Sequence, residues 1–241
     1  MLSMAFMKKS LVLGNFDMKN TLERIASYGA TSVKVLDEAF RRLLLEEAKS
    51  YPYQSQEEIV GSGERIVRQQ MQAFEDFPKT SKHVLLKDSW QAILERGLAA
   101  MQADPFPIRL HFNSMVLQRY EPGSLGITPH KDRSVYINLI CIFVIGGNGR
   151  FYVCSDRSGS QAREISASPG HVILMQAPGL LGSTDRPFHY VSNITACRYV
   201  FGLRQRLESA HGGENKIAGS PLNILRFESN EPQGRSQLRK F

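Results

Sequence analysis

Cysteine is scarce. Three residues in 241, Cys141, Cys154 and Cys197, have no Cys-x-x-Cys spacing, which excludes a disulfide scaffold and a cysteine-built structural zinc site. A reducing compartment is the expectation. Long hydrophobic runs are missing too. The longest uncharged apolar run, Ser134 to Gly149, is too short to cross a bilayer and is rich in the β-branched residues of a buried strand. The opening MLSMAFMKKS places its lysines after a short apolar stretch, the reverse of a secretory signal, so a cytoplasmic protein with no membrane association is expected. There is no internal repeat, and no run of basic residues resembles a nucleic-acid arm.

What is present is the composition of an ordinary soluble domain, 42% hydrophobic and 22% charged. The net charge of +7 is unevenly spread. Residues 101–206 hold 11 Lys+Arg against 6 Asp+Glu, and arginine carries most of that excess. Such a region can neutralise phosphates, or it can line a pocket for a small anion, since arginine recognises planar carboxylates as readily as phosphate.

The texture of the chain changes near residue 105. Before it, Leu36–Ser50 and Leu85–Met101 show apolar residues at helical spacing, and the segment between them contains a short strand around Ile66 and Val67. After it, β-rich runs recur, FNSMVLQRY, VYINLICIFVI, GRFYVCS, HVILMQA and CRYVFGLRQ, separated by the turn signals EPGS, GGNG, RSGS, SPG and APG. Many short strands at regular spacing predict a sandwich or barrel. The expected organisation is one domain over 1–206, with 1–104 a mainly helical support and 105–206 the β core. A partly ordered appendage is expected over 207–241, where Gly212, Gly213, Pro221 and Pro232 interrupt any periodicity.

The chemistry concentrates in ITPHKD. His130 and Asp132 are two residues apart and share a face of an extended chain, while Lys131 points away. His189, in RPFHYV, supplies a third ligand. Two histidines and one carboxylate with open positions is the donor set of non-haem Fe(II) oxygenases, whereas a structural zinc site would close its shell. Arg198 and Arg204 lie six residues apart in RYVFGLRQ, on the strand face shared with Val200 and Gly202. The missing side chain of Gly202 leaves room for two long arms to converge on one small dianion. Tyr199, Phe201 and Leu203 take the opposite, apolar face.

At these residues the chain resembles the Fe(II)/2-oxoglutarate-dependent oxygenases, and most closely their AlkB-like branch, over Val116 to Gln205. The branch pattern N-x-Y-x-x-G reads QRYEPG here, so Tyr120 and Gly123 match and Gln118 replaces the asparagine. The pattern then continues as His130 with Asp132, His189, and Arg198 with Arg204, with Val200 replacing a second asparagine. The resemblance implies a double-stranded β-helix, a jelly-roll-like fold with iron inside one mouth. It implies Fe(II), 2-oxoglutarate and O2 as cofactor and cosubstrates, with release of succinate and CO2. It also implies that Arg198 anchors the distal carboxylate of 2-oxoglutarate, that Arg204 helps hold its chelating end, and that Tyr120 and Gln118 complete the cosubstrate site.

The substrate is less legible. Where the branch-defining repair enzyme has a carboxylate two residues after the metal aspartate, this chain has Ser134, and the loop that follows is short. Trp90 and Tyr136 are candidates for base stacking, although Trp90 on an amphipathic helix reads first as core. A small-molecule or amino-acid-like substrate is therefore favoured over nucleic-acid dealkylation, with Arg133, Arg186, Ser134 and Tyr136 as candidate substrate contacts. Two other classes remain open: a non-catalytic jelly-roll binding module, and a hydrolase using the same ligands on zinc.

Overall fold

The computed structural model describes residues 11–14 and 16–207; the region 207–241 expected to be an appendage lies, from 208 onward, outside the described residues. Among the described residues, three α-helices form where polar caps precede amphipathic runs. Helix α1 (Met18–Tyr28) is capped by Asp17, whose carboxylate accepts from the Asn20 amide at 2.8 Å. Helix α2 (Glu38–Ser50) begins after Asp37, which accepts from the Ala39 and Phe40 amides, and α3 (Lys82–Ala99) begins after Ser81. The two helices expected from periodicity are α2 and α3, with their starts moved to these caps.

The strands are β1 (Ala30–Lys34), β2 (Gln54–Ser55), β3 (Ile59–Val60), β4 (Val67–Arg68), β5 (Gln72–Phe74), β6 (Ser114–Tyr120), β7 (Ile127–His130), β8 (Tyr136–Gly146), β9 (Arg150–Cys154), β10 (Arg163–Ile165), β11 (His171–Gln176), β12 (Phe188–Ser192) and β13 (Arg198–Arg206). All pairings are antiparallel. A seven-stranded sheet runs β1-β11-β8-β13-β6-β5-β2, a four-stranded sheet runs β10-β9-β12-β7, and β3-β4 form a separate hairpin. This is the double-stranded β-helix.

Strand alternation divides the interior in two. In β8, Leu139, Cys141, Phe143 and Ile145 face the helices, while Ile140, Ile142 and Val144 face the smaller sheet. In β13, Tyr199, Phe201 and Leu203 take the helix side and Val200 the inner side. Trp90 of α3 is fully buried against Phe16 and Phe143, with its indole N–H directed at the Cys141 sulfur, so it is core and unavailable to a base. No helix among the described residues is long and apolar enough to cross a membrane.

One expectation needs correcting. The first hundred residues are not only helical support: β1 closes one edge of the large sheet, and β5 with β2 closes the other. At two and three residues β2 and β5 are too short to display a period of two, and the five residues of β1 show no apolar alternation, which is why the sequence pattern did not reveal them.

The crossing of β8 into β9 is tight. Gly147 adopts φ +76°, and a Cβ there would collide with the Cys197 carbonyl oxygen and the Arg198 Cα. We expect Gly147→Ala to lower the unfolding free energy by about 2–4 kcal/mol, read from urea denaturation, because strain and steric overlap act together.

Candidate metal centre and anion pocket

The two histidines are brought together by register. β12 pairs with β7 so that His189 lies directly opposite His130, and their rings are 4.2 Å apart at 51°. Asp132 follows in the loop just past β7. The potential ligand atoms of the three residues all lie within 4.8 Å of one another, and all three side chains are buried.

Each histidine is oriented by the backbone two residues upstream. His130 Nδ1 lies 2.9 Å from the Thr128 carbonyl and His189 Nδ1 lies 3.2 Å from the Pro187 carbonyl. A carbonyl can only accept, so Nδ1 carries the hydrogen in both rings and Nε2 keeps its lone pair. Burial holds the His130 imidazole neutral, down to about 3, with neighbouring His189 adding to the effect. Burial also lowers His189, against the opposing charge of Asp132. Burial alone would raise Asp132, yet Arg204 and the two histidines outweigh it and hold the carboxyl below its ordinary range. The result is two neutral imidazoles and one carboxylate, the protonation states that metal ligation requires.

The supporting contacts are specific. Arg186 donates from Nη1 to the Asp132 carbonyl at 2.8 Å, which fixes the loop carrying the aspartate. Arg204 Nε stands 3.6 Å from Asp132 Oδ2, and that oxygen, buried, accepts no hydrogen bond. A buried carboxylate oxygen without a donor is the position a cation would satisfy. The residues present therefore fit a divalent metal.

The triad lines a narrow cavity of about 30 Å³. Gln118, Tyr120, His130, Asp132, His189, Arg198 and Arg204 supply its polar lining. Arg198 is 1% exposed and forms no ion pair with any described residue. Its Nη1 donates to the Gly149 carbonyl at 3.0 Å, while its Nε is buried without a partner. Burial pulls this guanidinium down to about 10, with Tyr120 partly offsetting the effect. A buried, unpaired guanidinium costs several kcal/mol unless an anion meets it. Tyr120 sits across from Arg198 in register, and burial pushes its hydroxyl up to about 12, so it remains a neutral donor beside the cation.

The second arginine leans as its neighbours permit. A Cβ at Gly202 would lie 2.8 Å from Arg204 Nη1, so the glycine makes the space that the guanidinium occupies. Arg198 and Arg204 both line this cavity. Gln118 is opposite Val200, and its Nε2 lies 3.0 Å from the Met71 sulfur. The two departures from the N-x-Y and R-x-N patterns thus form one cross-strand pair.

The candidate substrate contacts are placed differently. Arg133, Arg186, Ser134 and Tyr136 do not line this cavity. Arg186 is engaged with the Asp132 carbonyl, and Tyr136 lies 5.3 Å beneath the Arg204 guanidinium. Arg133 keeps a buried Nε without a partner, and Ser134 is exposed in the loop. Lys131 points away as expected, over the Phe188 ring. Sequence reasoning missed the apolar lining, Ile127, Ile142, Phe151, Val191 and Val200, because such residues look the same in a core strand as in a pocket wall.

No protein-family model matches the chain, and no curated protein matches it in sequence. Solved structures do. A prolyl hydroxylase of Trichoplax adhaerens, in complex with a hypoxia inducible factor oxygen degradation domain peptide fragment, is 13% identical with a TM-score of 0.59, covering 78% of this chain and 87% of that one. A Pseudomonas putida prolyl-4-hydroxylase is 14% identical with a TM-score of 0.54, over 79% and 100%. An oxidoreductase of the 2OG-Fe(II) oxygenase family from Burkholderia pseudomallei is 12% identical with a TM-score of 0.56, over 79% and 91%. At this identity the likeness is one of fold.

Titrated with Co(II), the protein should bind one ion per chain with visible d–d absorption. We expect His189→Ala and Asp132→Ala each to weaken that binding by more than about 100-fold, a larger loss than removal of an outer-shell partner gives. Wild-type affinity in either variant would remove these residues from the ligand set.

Proposed function

We propose that this chain is an Fe(II)- and 2-oxoglutarate-dependent dioxygenase. One observation carries the reading: a buried two-histidine, one-carboxylate cluster shares a narrow cavity with a buried arginine that has no anionic partner. The fold shared with oxygenases supports it. His130, Asp132 and His189 would hold the iron, Arg198 with Tyr120 the distal carboxylate of 2-oxoglutarate, and Arg204 the end nearest the metal. When bound, iron and 2-oxoglutarate supply oxidative decarboxylation to succinate and CO2 coupled to oxygenation of a substrate C–H bond by O2.

The protein's own work is placement and protection. Arg198 offers a fixed guanidinium whose desolvation is already complete, so a carboxylate entering the pocket gains a strong charge-assisted contact at little ordering cost. Tyr120 adds a neutral hydroxyl donor beside it. Arg204, held against Asp132, keeps that residue ionised and fixes its orientation. Ile127, Ile142, Phe151, Val191 and Val200 wall the cavity with apolar surface that excludes bulk water.

For the primary substrate we favour a small or amino-acid-like molecule. The short Asp132–Tyr136 loop and the loss of Trp90 to the core argue against a base-stacking pocket. AlkB-like nucleic-acid dealkylation is the second reading, supported by Tyr120, Gly123 and the +5 excess over residues 101–206. A cytoplasmic setting accords with three free cysteines. A zinc hydrolase would have no use for Arg198, and a non-catalytic binding module would have no use for the histidine pair.

Protein loaded anaerobically with Fe(II) and then exposed to O2 should form succinate from 2-oxoglutarate, and His130→Ala should not. Stimulation by a pooled metabolite extract rather than by methylated single-stranded DNA would select the favoured substrate class; the reverse would select dealkylation. Absence of iron-dependent turnover together with absence of 2-oxoglutarate binding would refute the oxygenase. Arg198→Ala should raise the 2-oxoglutarate Kd about 100-fold or more, since about 3 kcal/mol is at stake, while Co(II) binding stays near wild type. Equal losses of both would mark the arginine as structural.

A further inference from the structure

Arg198 is the first residue of β13, and the chain leading into it is held from outside the cavity. The turn between β8 and β9, Gly147, Asn148 and Gly149, meets residues 195–198 in three successive ways. A Cβ at Gly147 would overlap the Cys197 carbonyl oxygen and lie 2.6 Å from the Arg198 Cα, so the two backbones touch with no side chain between them. The Asn148 side-chain oxygen accepts from the Thr195 amide at 2.8 Å and from the Ala196 amide at 2.7 Å, while its Nδ2 donates to the Thr195 hydroxyl. The Gly149 carbonyl accepts from Arg198 Nη1 at 3.0 Å.

The same stretch reaches the other half of the anion pocket. The Ile194 carbonyl accepts from the Gly123 amide at 2.8 Å, in the loop that leaves Tyr120. Its side chain belongs to the inner core, and a Cβ at Gly149 would come within 2.5 Å of Ile194 Cδ1 and 3.1 Å of Arg198 Cδ. Ile194 is thus a wedge between the Tyr120 loop and the turn that holds the guanidinium. Asn148 differs from these partners in being exposed, so water can satisfy the two amides when its side chain is removed, and little global stability is lost. Water cannot supply the fixed geometry. A misplacement of about 1 Å in a preorganised site costs on the order of a hundredfold.

We propose that Asn148 is a positioning residue of the anion pocket: by bridging the Thr195 and Ala196 amides it fixes where Arg198 presents its guanidinium, and so sets the affinity and chain-length preference for the dicarboxylate. The identity of that dicarboxylate as 2-oxoglutarate rests on the oxygenase reading; the placement of Arg198 by Asn148 does not.

Two measurements on the full chain test it. Without ligand, hydrogen exchange of the Arg198 Nε–H followed by NMR should quicken about tenfold or more in Asn148→Ala, while the amides of β6 and β8 keep wild-type protection. Asn148→Asp, which still offers one oxygen to both amides, should restore slow exchange. With Co(II) bound, calorimetry should show Asn148→Ala weakening 2-oxoglutarate by roughly tenfold to a hundredfold, narrowing its advantage over the longer 2-oxoadipate, and leaving Co(II) affinity unchanged. The proposal is overturned by wild-type exchange at Arg198 in Asn148→Ala, by equal loss of protection at Arg198 and throughout β6 and β8, by no recovery in Asn148→Asp, or by unchanged 2-oxoglutarate affinity in Asn148→Ala. Absence of 2-oxoglutarate binding by the wild type would instead refute the oxygenase reading, and Asn148-dependent protection of Arg198 would still uphold the placement, so the two ideas fail separately.

Discussion

β13 is buried on both faces, and its strict alternation is the constraint from which the site follows. Tyr199, Phe201 and Leu203 are committed to the core beneath the helices, so Arg198, Val200, Gly202 and Arg204 have no choice but to face inward. A one-residue slip would drive two guanidinium groups toward the aromatic side chains Phe77, Trp90 and Phe143 and expose three large apolar side chains to the cavity. The apolar packing on one side therefore specifies the position of the charges on the other. Helices α1 to α3 contribute to the site in this indirect way: they hold the face that holds the register.

Those charges are expensive, and their arrangement shows how the cost is distributed. Asp132, Arg198 and Arg204 are all desolvated, at several kcal/mol each if left alone. Asp132 and Arg204 compensate one another across 3.6 Å. Arg198 has only a carbonyl and the Tyr120 hydroxyl nearby, so the protein without ligand carries an uncompensated cation. The fold tolerates it because roughly half of the buried side chains form a separate apolar core that does not touch the pocket. Binding an anion then relieves a strain that folding has already met, which is preorganisation in its electrostatic form.

Much of this was legible in the sequence, and the reasons differ by level. The long strands β6, β8, β11 and β13 announced themselves because each runs six residues or more with β-branched or aromatic residues, and the first three end at a glycine or proline turn. β2, β3, β5 and β10 did not, since a strand of two or three residues is stabilised by its neighbours rather than by its own pattern, and β1, ATSVK, is mostly small and polar. The chemistry-bearing residues were readable because His130, Asp132, His189, Arg198 and Arg204 are residue types that interiors reject without a reason.

The departures at Gln118 and Val200 show why residue-by-residue motif matching understates what a sequence holds. Taken singly, each replaces a polar asparagine and weakens a pattern. Paired across β6 and β13, they form one local solution: Val200 removes an amide from the inner face, and the longer Gln118 keeps one there and directs it at the Met71 sulfur of the adjoining segment. Two polar side chains have become one polar and one apolar, with the remaining amide still at the cavity wall. Changing either position alone would leave an amide unsatisfied or a gap beside Val200, so the two are coupled through contact rather than through the reaction. A pattern search that scores positions independently counts this pair as two failures, whereas the register counts it as one substitution that the pocket accommodates.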